Sequence, residues 1–145
     1  MSKVVLDANI FVKIFKEEHD SDQAKDLLKN LIKSVAPILA PPIVVNETIH
    51  VCERNHLDVE AACCLFKELI KLNLNFVPLT ADLIDKTHAL TKTGHEKSGF
   101  PTFSDCMYHA IAIEEDARLI TADKRHYEKT KHLGNIELLE RYKNL

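Results

Sequence analysis

Val4-Val5-Leu6-Asp7-Ala8-Asn9-Ile10-Phe11 stands almost at the start of the 145-residue sequence. Three apolar residues run straight into an aspartate, an asparagine follows two places later, and apolar sequence then resumes. An unbroken apolar run reads as a strand covered on both faces, as in a parallel sheet, whereas a half-exposed strand alternates. An aspartate ending such a strand stands at the sheet's carboxyl edge, where parallel α/β proteins form their ligand crevices.

Working outward, helical sequence runs from Ile10 to about Lys16, and a second helix starts near Asp20 or Ser21. Ala24, Leu27, Leu28, Leu31, Ile32 and Val35 recur there at spacings of three and four, so one face is expected in the core. Pro37-Ile38-Leu39-Ala40 reads as a strand, and Pro41-Pro42 suits the opening of a helix through Glu47 to about Asn55. Asp58 caps the next helix, to about Leu72, and Asn75-Phe76-Val77-Pro78 reads as a strand. Thr80 caps a helix from Ala81 to about Thr93, and Gly94 to Gly99 is a polar loop. Thr102 opens a helix from Phe103 to Asp116; Arg118-Leu119-Ile120-Thr121 and Ile136-Glu137-Leu138-Leu139 close the series as strands. Apolar strands separated by helices predict one α/β domain over residues 1–145, with about four to five short strands in a mostly parallel sheet and helices on both faces.

The composition fits a globular chain, with 46% hydrophobic and 28% charged residues and only three glycines. A net charge of -3 supplies no global attraction for polyanions, so a nucleic-acid partner requires a local basic patch or metal ions. The four cysteines, Cys52, Cys63, Cys64 and Cys106, form no Cys-x-x-Cys pair or disulfide framework and read as reduced core thiols. No apolar run reaches membrane-spanning length and the N-terminus lacks a signal-peptide core, so a cytoplasmic location is expected.

Four acids carry the chemistry. Asp7 and Asp123 each follow a predicted strand, and each equally suits a helix cap. Glu47 has Ile43, Val44, His50 and Val51 as helical neighbours, a mostly apolar face, and no Lys or Arg occurs between Ser34 and Arg54. Its alternative is a salt bridge to a distant cation. Asp105 sits in Thr102-Phe103-Ser104-Asp105, a capping-box pattern in which the acid turns back to the cap amide. Two carboxylates about 4 Å apart repel by about 4 kcal/mol at an effective dielectric near 20, so a cluster of them requires protons or a cation. All-oxygen donors favour Mg²⁺ or Mn²⁺.

In these residues the chain resembles the PIN-domain nucleases. The resemblance rests on Val4 to Phe11, on Asn46-Glu47-Thr48, on Thr102 to Ala112, and on Leu119-Ile120-Thr121-Ala122-Asp123, in family order over nearly the whole chain. The length is similar to that of VapC-type toxins. The resemblance implies a PIN-like three-layer fold and a metal-dependent endoribonuclease. In it Asp7, Glu47, Asp105 and Asp123 hold Mg²⁺ or Mn²⁺, Asn9 and Thr121 support them, and an RNA phosphodiester is hydrolysed. It also implies a cognate antitoxin as partner.

Lys124-Arg125-His126-Tyr127 departs from the many relatives that carry a second acid there, and leaves metal occupancy and substrate contact at this point open. Lys124 and Arg125 are candidates for contacting phosphates, as are Lys92 and Lys97 within the stretch Lys86, His88, Lys92, His95, Lys97; a solvated helix surface is the alternative for each. The histidines show no His-x-x-x-His spacing, which argues against zinc. On the helix from Val59 to Leu72, Ala61, Leu65 and Leu72 widen the apolar arc beyond the core face of Val59, Ala62, Cys63, Phe66, Leu69 and Ile70. The extra arc packs within the fold, against a second copy in a homodimer, or against an antitoxin. A haloacid dehalogenase-type phosphatase needs a second Asp where Asn9 stands, and a receiver domain needs an acidic pair the sequence lacks. The alternative from another class is a PIN-like module that binds RNA or protein without cutting.

Overall fold

The computed structural model describes residues 2–142. Within them a five-stranded, all-parallel sheet runs in the order β3-β2-β1-β4-β5, built from β1 (Val4–Leu6), β2 (Ile38–Ala40), β3 (Leu74–Phe76), β4 (Arg118–Thr121) and β5 (Ile136–Leu138). Two helices lie between each of the first pairs of strands: α1 (Ala8–Phe15) and α2 (Ser21–Ser34), α3 (Ile43–Arg54) and α4 (Val59–Leu72), then α5 (Ala81–Thr91) and α6 (Phe103–Glu114). A shorter α7 (Lys124–Thr130) joins β4 to β5. The expected α/β architecture, with a parallel sheet flanked by helices, is therefore present.

The central strands are the most apolar and the best covered. Val4, Val5, Leu6, Leu119 and Ile120 are buried, and β1 pairs with both neighbours, Val5 opposite Leu39 on one side and Leu119 on the other. At the β3 edge Asn75 is exposed and Phe76 only partly covered. On one side of the sheet Phe11 of α1 meets Phe66 of α4 with ring centroids 5.0 Å apart. On α6 every residue from Cys106 to Ala112 is buried, and the helix packs across β1 and β4. The chain winds from β1 outward to β3 and then returns to the other side of β1 with β4. That reversal is the topological switch point, and it opens a crevice between the carboxyl ends of β1 and β4.

Val35 does not continue the apolar face of α2. It terminates the helix in the left-handed region (φ 54°), with its own amide and that of Ala36 bonded back to Ile32 and Leu31, and it is 52% exposed. Buried Asn73 completes this end, donating from Nδ2 to the carbonyls of Leu31 (3.1 Å) and Ala36 (2.7 Å). Two of the cysteines are also displaced from the expected core. Cys52 and Cys106 are buried, but Cys63 and Cys64 are exposed on α4, as are Ile70 and Leu72. The helix buries only Ala62, Phe66 and Leu69, because its neighbours cover a narrower arc than its apolar residues span.

Candidate active site at the carboxyl edge of the sheet

Asp7 is fixed by the sheet itself. Its amide donates to the Ile120 carbonyl (3.2 Å), one rung beyond the paired residues of β1 and β4, and its side chain is only 8% exposed. It occupies the N-cap position of α1 yet makes no side-chain capping bond. Instead Thr121 Oγ1 donates to Asp7 Oδ2 (3.0 Å). The same hydroxyl accepts from Asn9 Nδ2 (3.2 Å) and from the Asp123 amide (3.1 Å), while Asn9 Oδ1 accepts from the Ala122 amide (3.2 Å). Asn9 and Thr121 thus tie the ends of β1 and β4 together around the carboxylate.

Burial is the largest influence on Asp7, followed by the negative charge of Asp105 and, more weakly, of Glu47. Together they raise its pKa from 3.8 to about 7, against the opposing effects of the Thr121 bond and the nearby Asn9 amide. Acids of α3 and α6 therefore both act on Asp7 at the end of β1. Among the described residues none of Asp7, Glu47, Asp105 and Asp123 forms an ion pair with lysine or arginine. The distant salt bridge that would explain Glu47 is absent there. Its Oε1 accepts from the hydroxyl of Tyr108 at 2.6 Å.

Asp105 uses half of the capping box. Its amide donates to Thr102 Oγ1 (3.2 Å), but among the described residues no return bond ties its carboxylate to the Thr102 amide. The carboxylate lies instead 3.8 Å from Nδ1 of buried His126. Asp123 behaves differently from the other three. Its Oδ1 accepts from the His126 amide (3.1 Å), an N-cap for α7, and its charge acts on His126 and is not among those that shift Asp7.

Two residues without an assigned role in the sequence reading border this site. Tyr108 lies one turn beyond Asp105 on α6, so the shared face was visible in the i, i+3 spacing. Burial, the bond to Glu47 and the surrounding acids hold its phenol protonated, with the pKa far above the usual range. His126 is buried, and neither ring nitrogen has a hydrogen-bond partner among the described residues. Burial lowers its pKa, against the pull of Asp105 and Asp123. Burial and the Asp105 charge push the Cys106 thiol up to about 12, so it carries no thiolate nucleophile.

The donor chemistry matches a hard divalent cation: oxygen ligands, mutual repulsion, and no basic side chain to neutralise them. The spacing is looser than a closed cage, since among the described residues no three His, Cys, Asp or Glu side chains stand grouped as a ready site. Of the basic candidates, Lys92, Lys97 and Arg125 are exposed, but Lys124 pairs with Glu140 (3.4 Å) and Lys86 with Glu114 (2.6 Å) and Asp82 (2.8 Å). A shallow groove of about 520 Å³ on α3, lined by Val45, Asn46, Glu47, Ile49, His50 and Glu53, contains Glu47 and none of the other three acids. A larger concavity of about 970 Å³ opens at the opposite, amino edge of the strands, beside Val4, Ala117 and Asn135, and contains none of the four acids.

A switch-point crevice lined by acids on a 3-2-1-4-5 parallel sheet defines the class of protein. The PIN domain family model matches residues 4–132, and the chain belongs to that family. No curated protein matches it. Among solved structures it is similar to VapBC2 from Rickettsia felis bound to a DNA fragment from their promoter, at 20% identity and a TM-score of 0.65 over 94% of this chain and 96% of that one. It is similar to a toxin-antitoxin complex from Klebsiella pneumoniae, at 17% identity and 0.67 over 94% and 97%. It is also similar to VapC20 of Mycobacterium tuberculosis, a sarcin-ricin loop cleaving toxin, at 15% identity and 0.63 over 79% and 85%. Among the described residues no helix is long and apolar enough to cross a membrane.

Proposed function

We propose that the protein is a divalent-metal-dependent endoribonuclease of the VapC type, acting on RNA in the cytoplasm and restrained by a cognate antitoxin. The observation that carries this reading is Asp7, a buried carboxylate raised to about 7 by burial and by two neighbouring acids, with no cation beside it among the described residues. A fold that keeps such a group must recover its cost through a ligand, and a divalent cation is the ligand that carboxylates select. Asp7, Glu47, Asp105 and Asp123 are the residues that would hold Mg²⁺ or Mn²⁺. When bound, such an ion supplies activation of water and neutralisation of charge at a scissile phosphate.

The chain's own groups hold the acids in register. Thr121 and Asn9 fix the orientation of Asp7, Tyr108 fixes that of Glu47, and the Asp105 carboxylate lies 3.8 Å from His126 Nδ1. Lys92, Lys97 and Arg125, all exposed, would contact the RNA backbone, whereas Lys124 is engaged by Glu140 (3.4 Å). The exposed apolar strip of Cys63, Cys64, Ile70 and Leu72 supports a further contact, with a second copy in a homodimer or with an antitoxin. Toxin-antitoxin complexes among the similar structures favour that partner class.

The absence of a ready cation cage among the described residues favours a second reading, a PIN-like module that binds RNA or protein without cutting it. Purified protein with labelled single-stranded RNA separates the two. Cleavage that requires Mg²⁺ or Mn²⁺, stops with chelator and is lost in Asp7→Asn supports the nuclease. Retention of RNA with no products under either ion supports the binding module.

A further inference from the structure

Phe100 is 63% exposed and Phe103 is 40% exposed, three residues apart, where the chain enters α6. Two large aromatic side chains exposed within three residues of one another are unusual for a residue type that belongs in cores. Phe100 is held there by a built turn. His95 and Gly99 exchange both backbone bonds (2.9 and 2.7 Å), closing a short hairpin, and Gly99 takes a positive φ of 89° that favours glycine. Gly94 lies so close beneath the ring that a Cβ there would stand 2.5 Å from Phe100 Cδ1 and 2.6 Å from Phe100 Cα. Phe100 therefore packs closely against a glycine backbone while most of its surface stays exposed.

The ledge stands at the same end of α6 as Asp105: Phe103 precedes that acid by two residues in the first turn, at the opening of the helix though on a different face. Two lysines stand by the hairpin, near Glu128, which is itself paired with Lys131 (2.8 Å). Lys97 at the hairpin and Lys129 of α7 make no ion pair among the described residues, and Lys129 Cε lies 3.9 Å from where a Cβ on Gly99 would be. Glu96 is the one acid of the hairpin, and it is exposed. Exposed aromatic rings beside unpaired lysines are the arrangement by which proteins take single-stranded nucleic acid, rings to the bases and cations to the phosphates.

We propose that Phe100 and Phe103 form a stacking platform for an unpaired base of the RNA, flanked by Lys97 and Lys129, which sets the strand next to the acidic crevice. The platform rests on the ribonuclease reading for its role, but it is tested separately. The chain contains no tryptophan, so Phe100→Trp in an Asp7→Asn background supplies a single fluorophore on the ledge. A short unstructured RNA strand quenches it; the same strand with abasic sugars, and a duplex of equal length, do not. In the otherwise unaltered protein, Phe100→Ala with Phe103→Ala raises KM for single-stranded RNA by about 10-fold or more, with a smaller change in kcat.

An unchanged KM in that variant, with cleavage intact, overturns the platform and leaves the nuclease standing. Quenching by RNA in a protein whose parent cuts nothing overturns the nuclease and keeps the platform. Equal quenching by the abasic strand overturns base stacking. Emission that shifts with protein concentration and ignores RNA marks a face covered by another copy, and also overturns it.

Discussion

Asp7 and Asp123 hold equivalent places, each at the end of a central parallel strand and each at the N-cap of the helix that follows. Their side chains do opposite things. Asp123 accepts from the His126 amide and is a working cap, partly exposed to solvent. Asp7 makes no capping bond, lies buried, and is held across the sheet by Thr121, with Asp105 and Glu47 pressing on it. An acid that satisfies a helix end stabilises the fold as it stands. One that leaves the helix end unserved to sit among like charges costs the fold, a cost that the proposed cation would recover.

The comparison breaks first at Asp7. Asp7→Asn keeps the shape and the acceptor for Thr121 but removes the charge, and RNA cleavage is expected to fall by at least about 10²–10³-fold, measured as single-turnover rates at saturating Mg²⁺ or Mn²⁺. Full activity in this variant reduces Asp7 to a structural residue.

Its stability should move the other way. The folded pKa of Asp7, about 7, exceeds its unfolded value of 3.8, so the folded state binds this proton more tightly. Its contribution is therefore most favourable below pH 3.8 and is lost as pH rises to about 7, a cost on the order of 4 kcal/mol at most for metal-free protein. Urea denaturation in chelator at acid and alkaline pH checks the sign: Asp7→Asn gains on the unaltered protein as pH rises and flattens the slope. Added Mg²⁺ or Mn²⁺ recovers stability in the unaltered protein alone.

The difference between these two acids was not legible in the sequence, though their positions were. Apolar runs such as Val4 to Leu6 and Leu119 to Thr121 announce strands buried on both faces, and the order of strands and helices announces a parallel sheet with a crevice at its carboxyl edge. Whether an aspartate there caps its helix depends on a partner more than a hundred residues away, here Thr121, and no local pattern contains it. The same holds for Glu47: its mostly apolar helical neighbours were legible, though Ile43 and His50 among them stand exposed, but its partner, the Tyr108 hydroxyl on another helix, was not. Periodicity also overstated burial. It marks which residues of α4 are apolar, not how much of that arc the neighbouring helices reach, so Cys63 and Ile70 read as core and stand in solvent. Val35 kept the rhythm of α2 by sequence, while its backbone had already turned left-handed to release the chain into β2.

Thr121 sharpens the contrast because it serves both acids. Thr121→Val conserves volume but removes the donor to Asp7 and the acceptor for Asn9 and the Asp123 amide. Buried polar groups left without partners cost about 1–3 kcal/mol, so thermal or chemical denaturation should show a loss in that range despite the apolar substitution. The lost bond also favoured the charged form of Asp7, whose pKa should rise further, moving the stability slope to higher pH.

The smallest effect separates the two roles open to Asp123. Asparagine caps helices about as well as aspartate, whereas alanine costs typically about 1 kcal/mol. Asp123→Asn should therefore leave stability within a few tenths of a kcal/mol and Asp123→Ala should lower it by about 1, read by denaturation of metal-free protein. Neither variant retains the carboxylate, so both should lose cleavage to a similar extent if Asp123 helps to hold the cation. Asparagine activity equal to the parent's, with alanine impaired only through stability, assigns Asp123 to the cap and reduces the ligand set to Asp7, Glu47 and Asp105. That outcome fits the charges Asp7 feels, since Asp105 and Glu47 act on it and Asp123 is not among them.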